Sequence, residues 1–338
     1  MIKRILQTVN RNKEVKQFAS VVVQRLKALC TRLVRHDAKT TFTLFSESLR
    51  SLKAAKAYEQ KGCPTVNTRE LSTSRKSDTV FILGSGPSIN DISAEEWNEI
   101  RKHDSWGFNF WFCHPFIPTA YFVQSVIRPE SDSDIIERLD DLIYTILKDK
   151  TKEYEAVNLF LRGDGINHER FHDTKLGRFV MNHEGFTRHI VPELPVSSKN
   201  RIDLDILYSQ LKKQGFYDTH DEPWPVPKFG GSITELISLA AILGYKKIVL
   251  CGIDMNDGGH FYDQKEYYEK YPFLKELSER NNKANGHVHM NKSIRKFTVK
   301  DLILGLNKFV GKEFGAEIFT YSKKSRLYPE IDSTTSNS

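Results

Sequence analysis

Cysteine is scarce and scattered. Cys30, Cys63, Cys113 and Cys251 are the only four in 338 residues, with no Cys-x-x-Cys pair and no regular spacing. That argues against a disulfide-stapled secreted scaffold and a thiolate zinc ribbon, and it reads as reduced thiols in a cytoplasmic protein. Long apolar runs are lacking too: none approaches the roughly 20 residues that span a bilayer. The longest N-terminal run, from Phe18 to Val23, is broken by Ser20 and stopped by Gln24 and Arg25, so neither a secretory leader nor an anchor is expected. Also missing are Gly-x-Gly-x-x-Gly and a glycine loop followed by Gly-Lys-Ser/Thr, which argues against the commonest dinucleotide and triphosphate loops. What is present, 39% apolar and 28% charged residues, suits a soluble globular chain long enough for one large α/β domain with an appendage.

The net charge of +7 is unevenly placed. Residues 1–76 hold 17 Lys/Arg against 5 Asp/Glu, and the remainder holds 33 against 38. The basic segment is therefore expected to be a separate arm. Within it, Val15, Phe18, Val22, Leu26, Leu29 and Leu33 recur at three- and four-residue steps between basic residues, the pattern of an amphipathic helix. A helix packed on its own domain, an interfacial helix on anionic lipid and a nucleic-acid arm all fit that pattern. A polar linker, residues 62–78, follows.

From Thr79 strands and helices alternate. "VFILGSGPSIND" (residues 80–91) runs from a buried strand into the turn Gly84-Ser85-Gly86-Pro87-Ser88, and Ser93-x-x-Glu96 is a capping box that starts a helix. Glycines let backbone approach a ligand, and consecutive amides there can cradle an oxyanion; an ordinary tight turn is the plain alternative. "GGSITELISLAAILGYKKIVLCGID" repeats the logic. Gly230-Gly231-Ser232 precedes a helix, Ser232-x-x-Glu235 again reads as a capping box, Gly244 suits the helix end, and residues 248–251 form a short buried strand. Both turns are expected at the carboxyl edge of one parallel sheet, where such folds bind ligands. Between them "SWGFNFWFCHPFIPTAYFVQ" is mostly core, with Asn109 as the polar exception that must find partners.

Taken together, "VFILGSGPSIND", "GFNFWF", "GGSITELISLAAILGYKKIVLCGID" and "GHVHMNKS" resemble, in order and spacing, the bacterial sialyltransferases of glycosyltransferase family 42, over roughly residues 79–332. A wider likeness, through the Gly-x-Gly-Pro-Ser turn, is to motility-associated glycosyltransferases and pterin diphosphokinase-like proteins. The resemblance implies a Rossmann-like, GT-A-variant parallel sheet flanked by helices, with a mobile lid at about 255–289 inside a domain of residues 77–332, the helical arm before it and a disordered tail at 333–338. It also implies transfer of sialic acid from CMP-sialic acid to a surface-glycan hydroxyl without a metal, the CMP-sugar being a co-substrate and no cofactor being needed.

Position by position, Ser85 stands at the family's asparagine in the glycine turn. Asn109 stands at an asparagine near the donor phosphate, and Ser232 at a serine near the sialic-acid carboxylate. Gly231 replaces a threonine and Phe229 an arginine. Asn256 stands where a phosphate-binding tyrosine is expected, and Tyr262 matches a second such tyrosine. His289 matches the catalytic base. The departures leave related nine-carbon acids and the eight-carbon acid Kdo open as donors.

The chemistry can also be argued from the residues. Transfer needs a group to take the acceptor proton, and a histidine titrates near neutrality; "NGHVHMNKS" offers His287 and His289. With Asp254, Asp257 and His260 these also have metal-ligand spacing; the plain alternative for Asp254, at a strand end, is a carboxylate that orders its loop. The charged, tyrosine-rich residues 263–283 are either a solvated surface helix or a lid that excludes water. Tyr321, Ser322 and Lys323, Lys324 and Arg326 near the end face either the nucleotide or solvent. Three functions therefore compete: a CMP-sugar transferase, a pterin-type diphosphokinase using ATP and Mg²⁺, and a nucleotide-binding module without turnover. For the first, the expected partners are the donor and a glycan or lipid-linked glycan acceptor, with peripheral contact at the inner membrane face through the arm and no nucleic acid. Whether the chain forms a homo-oligomer stays open.

Overall fold

Apolar runs of four and five residues make strands that are covered on both sides. The computed structural model describes residues 13–123, 133–162, 171–196, 202–221, 224–256, 259–283 and 297–334. In it β1 (Thr79–Leu83), β2 (Asp104–Phe108), β3 (Ala120–Val123), β4 (Asn158–Arg162) and β5 (Thr187–Val191) run outward in one direction. After β6 (Glu193–Val196) and β7 (Val226–Phe229), which form their own two-stranded parallel sheet, the chain returns to place β8 (Lys247–Cys251) and β9 (Glu317–Thr320) on the other side of β1. The seven strands order as β5-β4-β3-β2-β1-β8-β9, and every neighbouring pair is parallel. The winding direction reverses between β1 and β8, so the crevice at their carboxyl ends is the ligand-prone place in such a sheet.

The two-residue strand period divides the core. Val80, Ile82, Trp106, Phe108, Phe122, Phe160, Ile248 and Leu250 belong to one cluster, and Phe81, Leu83, Tyr121, Val123, Leu159, Leu161 and Val249 to the other. The first face is covered by α1 (Lys13–Leu33), α2 (Ala38–Glu59), α8 (Leu204–Lys213), α9 (Ser232–Leu243) and α12 (Val299–Phe314), with the short α3 (Thr68–Thr73) beside α9. Over the second lie α4 (Ala94–Ile100), α5 (Ser133–Asp149), α6 (Thr151–Tyr154), α7 (Lys175–Asn182), α10 (Lys265–Lys270) and α11 (Pro272–Lys283).

Local grammar explains the element ends. Ser93 and Glu96 form the reciprocal capping box at the start of α4, and Gly244, at φ 85°, closes α9 in the left-handed conformation that glycine tolerates. Helix α9 is buried from Ile233 to Leu243, as suits a helix sandwiched between sheet and outer helices.

The basic arm is not detached from the core. Val22, Leu26, Leu29 and Leu33 of α1 and Leu44 and Phe45 of α2 are buried in the first cluster, and Arg25 donates to the Gln214 carbonyl at 3.1 Å and lies over the Trp224 ring. Each such apolar side chain contributes about 1.5–3 kcal/mol when fully buried. From Val22 to Leu33 the stripe that could have faced lipid is thus turned inward. Among the described residues no helix is long and apolar enough to cross a membrane.

Candidate active site at the carboxyl edge

The Gly84–Ser88 turn emerges where β1 ends, and its close packing is against protein. Gly84 N–H donates to the Cys251 carbonyl and Gly86 N–H to the Gly252 carbonyl, both at 2.8 Å. A Cβ on Gly84 would come within 2.7 Å of the Gly252 oxygen, and one on Gly86 would run into the Asp254 carboxylate. Ser88 is tied to Asp254 twice, through its amide at 2.9 Å and its hydroxyl at 2.5 Å. So the amides of Gly84, Gly86 and Ser88, expected as part of an oxyanion cradle, are already engaged, and Pro87 has none. Ser85 keeps an amide and a hydroxyl without a partner among the described residues, while its carbonyl accepts from Phe261 N–H at 2.9 Å. Asp254 is buried and orders its loop.

The C-terminal loop closes over the same turn. Arg326 N–H donates to the Asp254 carbonyl, Ser325 to the Ile253 carbonyl, and Lys324 pairs with Asp91 at 2.8 Å. Ser322 Oγ accepts from Lys324 N–H at 3.1 Å, and Asn256 donates to the Lys324 carbonyl at 3.4 Å. Tyr321 is half-buried; burial and its hydrogen bond to the Glu96 carboxylate push its phenol up, and that same bond lowers Glu96. Tyr262 is buried, stacked on His260 at 4.8 Å and edge-on to Phe110 at 5.4 Å, and burial raises its phenol as well. The described part of the expected lid, α10 and α11, is anchored on the second core through Tyr271 and Leu274, and Arg138 of α5 pairs with Glu276 while lying over Phe273. His287, His289 and Asp257 lie outside the described residues; among those described, no group of three His, Cys, Asp or Glu side chains is arranged to hold a metal.

Asn109 directly follows β2, beside the first turn, since Leu83 pairs with Gly107. It adopts φ 55°, a left-handed conformation that asparagine tolerates better than most residues. Its carbonyl accepts from the Tyr121 hydroxyl, and its side-chain amide bonds to none of the described residues. Residues held this way cluster at functional sites. Met255, at φ 56°, is the other non-glycine case among the described residues and sits in the turn after β8.

The second glycine turn reaches the same edge by a different route. It follows β7, outside the main sheet, yet it brings the start of α9 against the ends of β2, β3 and β4. Phe108, Phe122, Arg162, Ser232, Glu235 and Leu236 close around a gap too tight to admit a water. The expected Ser232–Glu235 capping box does not form: Gly231 is the N-cap and no side chain caps the helix. Thr234 Oγ1 instead accepts from Phe229 N–H and donates to the Gly231 carbonyl. A Cβ on Gly231 would meet nothing nearer than Val299 Cγ2 at 3.9 Å, in contrast to Gly84 and Gly86. An uncapped, glycine-led helix start attracts anions.

Both Ser232 and Glu235 turn to Arg162, the last residue of β4. Its Nη1 donates to Ser232 Oγ at 3.0 Å, its Nε to Glu193 Oε1 at 2.8 Å, and its Nη2 lies 3.0 Å from Glu235 Oε2; Lys228 Nζ donates to Glu193 Oε2 at 2.9 Å. Burial alone would raise Glu193, but Arg162 and Lys228 hold it well below the usual carboxylate range. Burial raises Glu235, to about 7; Arg162 opposes this and the neighbouring Glu193 adds to it. Sequence reading missed Arg162, Glu193 and Lys228 and took Glu235 for a cap. One signal was available: a cation closing the apolar strand "NLFLR" at its carboxyl end.

Compared with known proteins, the sequence matches no family model and no curated protein. Among solved structures, the monofunctional alpha-2,3-sialyltransferase Cst-I from Campylobacter jejuni shares 18% identity at a TM-score of 0.39, covering 78% of this chain and 82% of that one. The sialyltransferase CstII from Campylobacter jejuni, in complex with a substrate analogue, CMP-3FNeuAc, shares 17% identity at a TM-score of 0.37, covering 76% and 86%. At these values the likeness assigns no residue a role.

Proposed function

We propose that the chain is a glycosyltransferase that moves sialic acid or a related acidic sugar from a CMP-linked donor to a hydroxyl of a surface or lipid-linked glycan. The observation that carries this reading is the convergence at one carboxyl edge of Ser85, Asn109 in its left-handed conformation and the uncapped start of α9 at Gly231-Ser232, in the order in which the sequence motifs resemble family 42. Asn109 and Ser85 offer polar contacts to the phosphate, and the α9 amides offer partial positive charge to an anion. In the reaction the acceptor oxygen bonds to the anomeric carbon, the bond from that carbon to the phosphate oxygen breaks, and CMP leaves with the electron pair. The acceptor proton passes to a base, for which His289 is the candidate. No step needs a metal in this scheme. Tyr262 and Tyr321 would border the donor, with α10 and α11 as the fixed base of a closing segment.

Contact with an anionic membrane is proposed for the arm, but not through the apolar stripe of α1. Exposed apolar residues of the arm, Val21, Val34 and Phe42, stand among its lysines and arginines and suit that role. The testing experiment is a thermal-shift comparison of CMP, CDP, UDP, GDP and ATP–Mg²⁺. CMP at 100 times its Kd should stabilise the protein by about 2.7 kcal/mol. Stabilisation by ATP–Mg²⁺ with none by CMP would replace the transferase with the diphosphokinase.

A further inference from the structure

At the amino edge of the sheet, opposite the candidate active site, lies a cleft of about 520 Å³, within the roughly 300–1,000 Å³ of small-molecule sites. It spans the starts of β2, β3 and β4 and the segment leading into β1. Flat rings line its middle: Trp106, Phe116, Phe160 and Tyr245. Its two ends differ in charge. Arg75 and Lys76, which lead into β1, and Arg101, which follows α4, stand on the β1–β2 side; Glu153 of α6 and Asn158, the first residue of β4, stand on the other. Asp104 is already engaged, since it is buried, accepts from Lys76 N–H at 2.8 Å and lies beside the Tyr245 hydroxyl. The cations are less well matched. Lys76 is exposed, and its ammonium meets no carboxylate among the described residues. Arg101 lies over the Phe116 ring at 5.0 Å and, among those residues, donates only to the Asn98 side-chain oxygen, at 3.2 Å. Arg75 lies over the Tyr245 ring at 5.2 Å; the Ser72 and Gly244 carbonyls and Asp78 take its Nε and Nη1, which leaves Nη2.

We propose that this cleft is a second ligand site, remote from the donor site, for a planar aromatic anion whose ring lies among Phe116, Trp106 and Tyr245 and whose charge is turned to Lys76 and Arg101. A guanidinium held over a ring keeps its N–H edge for an anion, and a bound ring adds apolar contact and stacking. Glu153 at the far end repels a second negative group, so the ligand carries its charge at one end only. The inference goes beyond the donor reading and does not rest on it. A nucleoside monophosphate and an aromatic carboxylate share the required chemistry.

The test is a fluorescence titration of the full chain with 8-anilinonaphthalene-1-sulfonate, a flat ring system bearing one anion, beside its uncharged counterpart N-phenyl-1-naphthylamine. The sulfonate should bind saturably at one per chain and at least tenfold more tightly than the uncharged compound. Lys76→Glu with Arg101→Glu, both at exposed positions, should weaken the sulfonate tenfold or more and leave the uncharged compound unchanged. Ala156→Trp, which fills the cleft from another exposed position, should weaken both, while Gly231→Ala at the opposite edge should affect neither. Displacement of the sulfonate by adenosine monophosphate makes a nucleotide the source of the anion, and displacement by indole-3-acetate alone makes it an aromatic carboxylate. Equal affinity for the two dyes, displacement by neither competitor, or sulfonate binding unchanged in the charge-reversed protein overturns the proposal. The charge-reversed protein decides the matter even where Ala156→Trp fails to fold.

Discussion

Asp254 holds Ser88 by both its amide and its hydroxyl, at 2.9 and 2.5 Å, across 166 residues of chain. The pairing joins the turn after β1 to the turn after β8 at the point where the sheet's winding reverses. A motif that reads as a ligand loop is therefore, in large part, a joint between two turns.

Asp254→Ala should accordingly act on stability first. Two hydrogen bonds to a buried charged group are lost and the Ser88 donors are left without an acceptor, at a cost of about 2–4 kcal/mol. Urea unfolding measures this. Unchanged stability with lost CMP binding would instead make Asp254 a ligand-contacting group.

Gly86→Ala and Gly231→Ala should separate the two turns. The first drives a methyl into the Asp254 carboxylate and should destabilise by about 1–3 kcal/mol. The second adds a methyl in ordinary contact with Val299 Cγ2, at 3.9 Å, at an extended N-cap, so its stability cost should stay within about 1 kcal/mol. That methyl would stand where an anion approaches α9, and the donor's Kd should rise several-fold. A Gly231→Ala protein with wild-type donor affinity would remove the α9 start from the site.

The pH dependence of stability has a definite sign at Glu235. Its folded value is raised from 4.5 to about 7, so the unfolded chain loses its proton first; the contribution is complete below pH 4.5 and is lost as pH rises through about 7. Glu193, held low, acts in the opposite direction, but in a window below pH 4.5. His114 does overlap: burial, aided by Lys150, lowers it from 6.5 to about 3, so stability is lost as pH falls below 6.5. The difference between wild type and Glu235→Gln cancels the histidine. That difference should shift against wild type by a few kcal/mol at most between pH 4.5 and 7.5. A constant difference would show that Glu235 is ionised throughout.

Much of the framework was legible because its causes are local. The β1 and β8 runs, the Ser93–Glu96 box and Gly244 each depend on neighbours within a few residues, and each stands where the pattern puts it. The same grammar failed at Ser232-x-x-Glu235. Nothing in those four residues shows that Arg162, 70 residues earlier than Ser232, competes for both side chains. The glycines of the first turn were visible, but the Gly252–Asp254 segment that requires them approaches only in the folded sheet. The arm's stripe was read correctly as one face of a helix. What covers that face is a tertiary matter: Leu26 and Leu29 sit in the core that α8 and α9 also line.

That burial changes how the arm is tested. Phe42, 65% exposed, and Val34, 45% exposed, flank the α1–α2 turn together with Arg32, Arg35 and Lys39. On vesicles containing phosphatidylserine, Phe42→Asp with Val34→Asp should weaken binding by tenfold or more while leaving the melting temperature within a few degrees. Leu29→Ala should instead destabilise by about 2–5 kcal/mol. Wild-type binding should fall with salt, each lysine or arginine near the surface contributing about 1 kcal/mol. Equal binding to neutral phosphatidylcholine vesicles, or no effect of the double substitution, would rule out this surface.

His289 and His287 carry the last expectation. An acceptor hydroxyl is a weak nucleophile at neutral pH, and a positioned general base typically contributes on the order of 10²–10⁴-fold. His289→Ala should lower kcat by about that factor and leave CMP affinity nearly unchanged, because a base facing the acceptor does not touch the nucleotide. His287→Ala should do much less. The rival arrangement is the metal site that the His-x-His spacing allows. There both substitutions disable the enzyme, and a chelator reproduces their effect in the wild type. Measuring kcat for both variants with and without chelator separates the schemes. A fully active His289→Ala protein would remove the base assignment, and two equally inactive variants with a chelator-sensitive wild type would put a metal in its place.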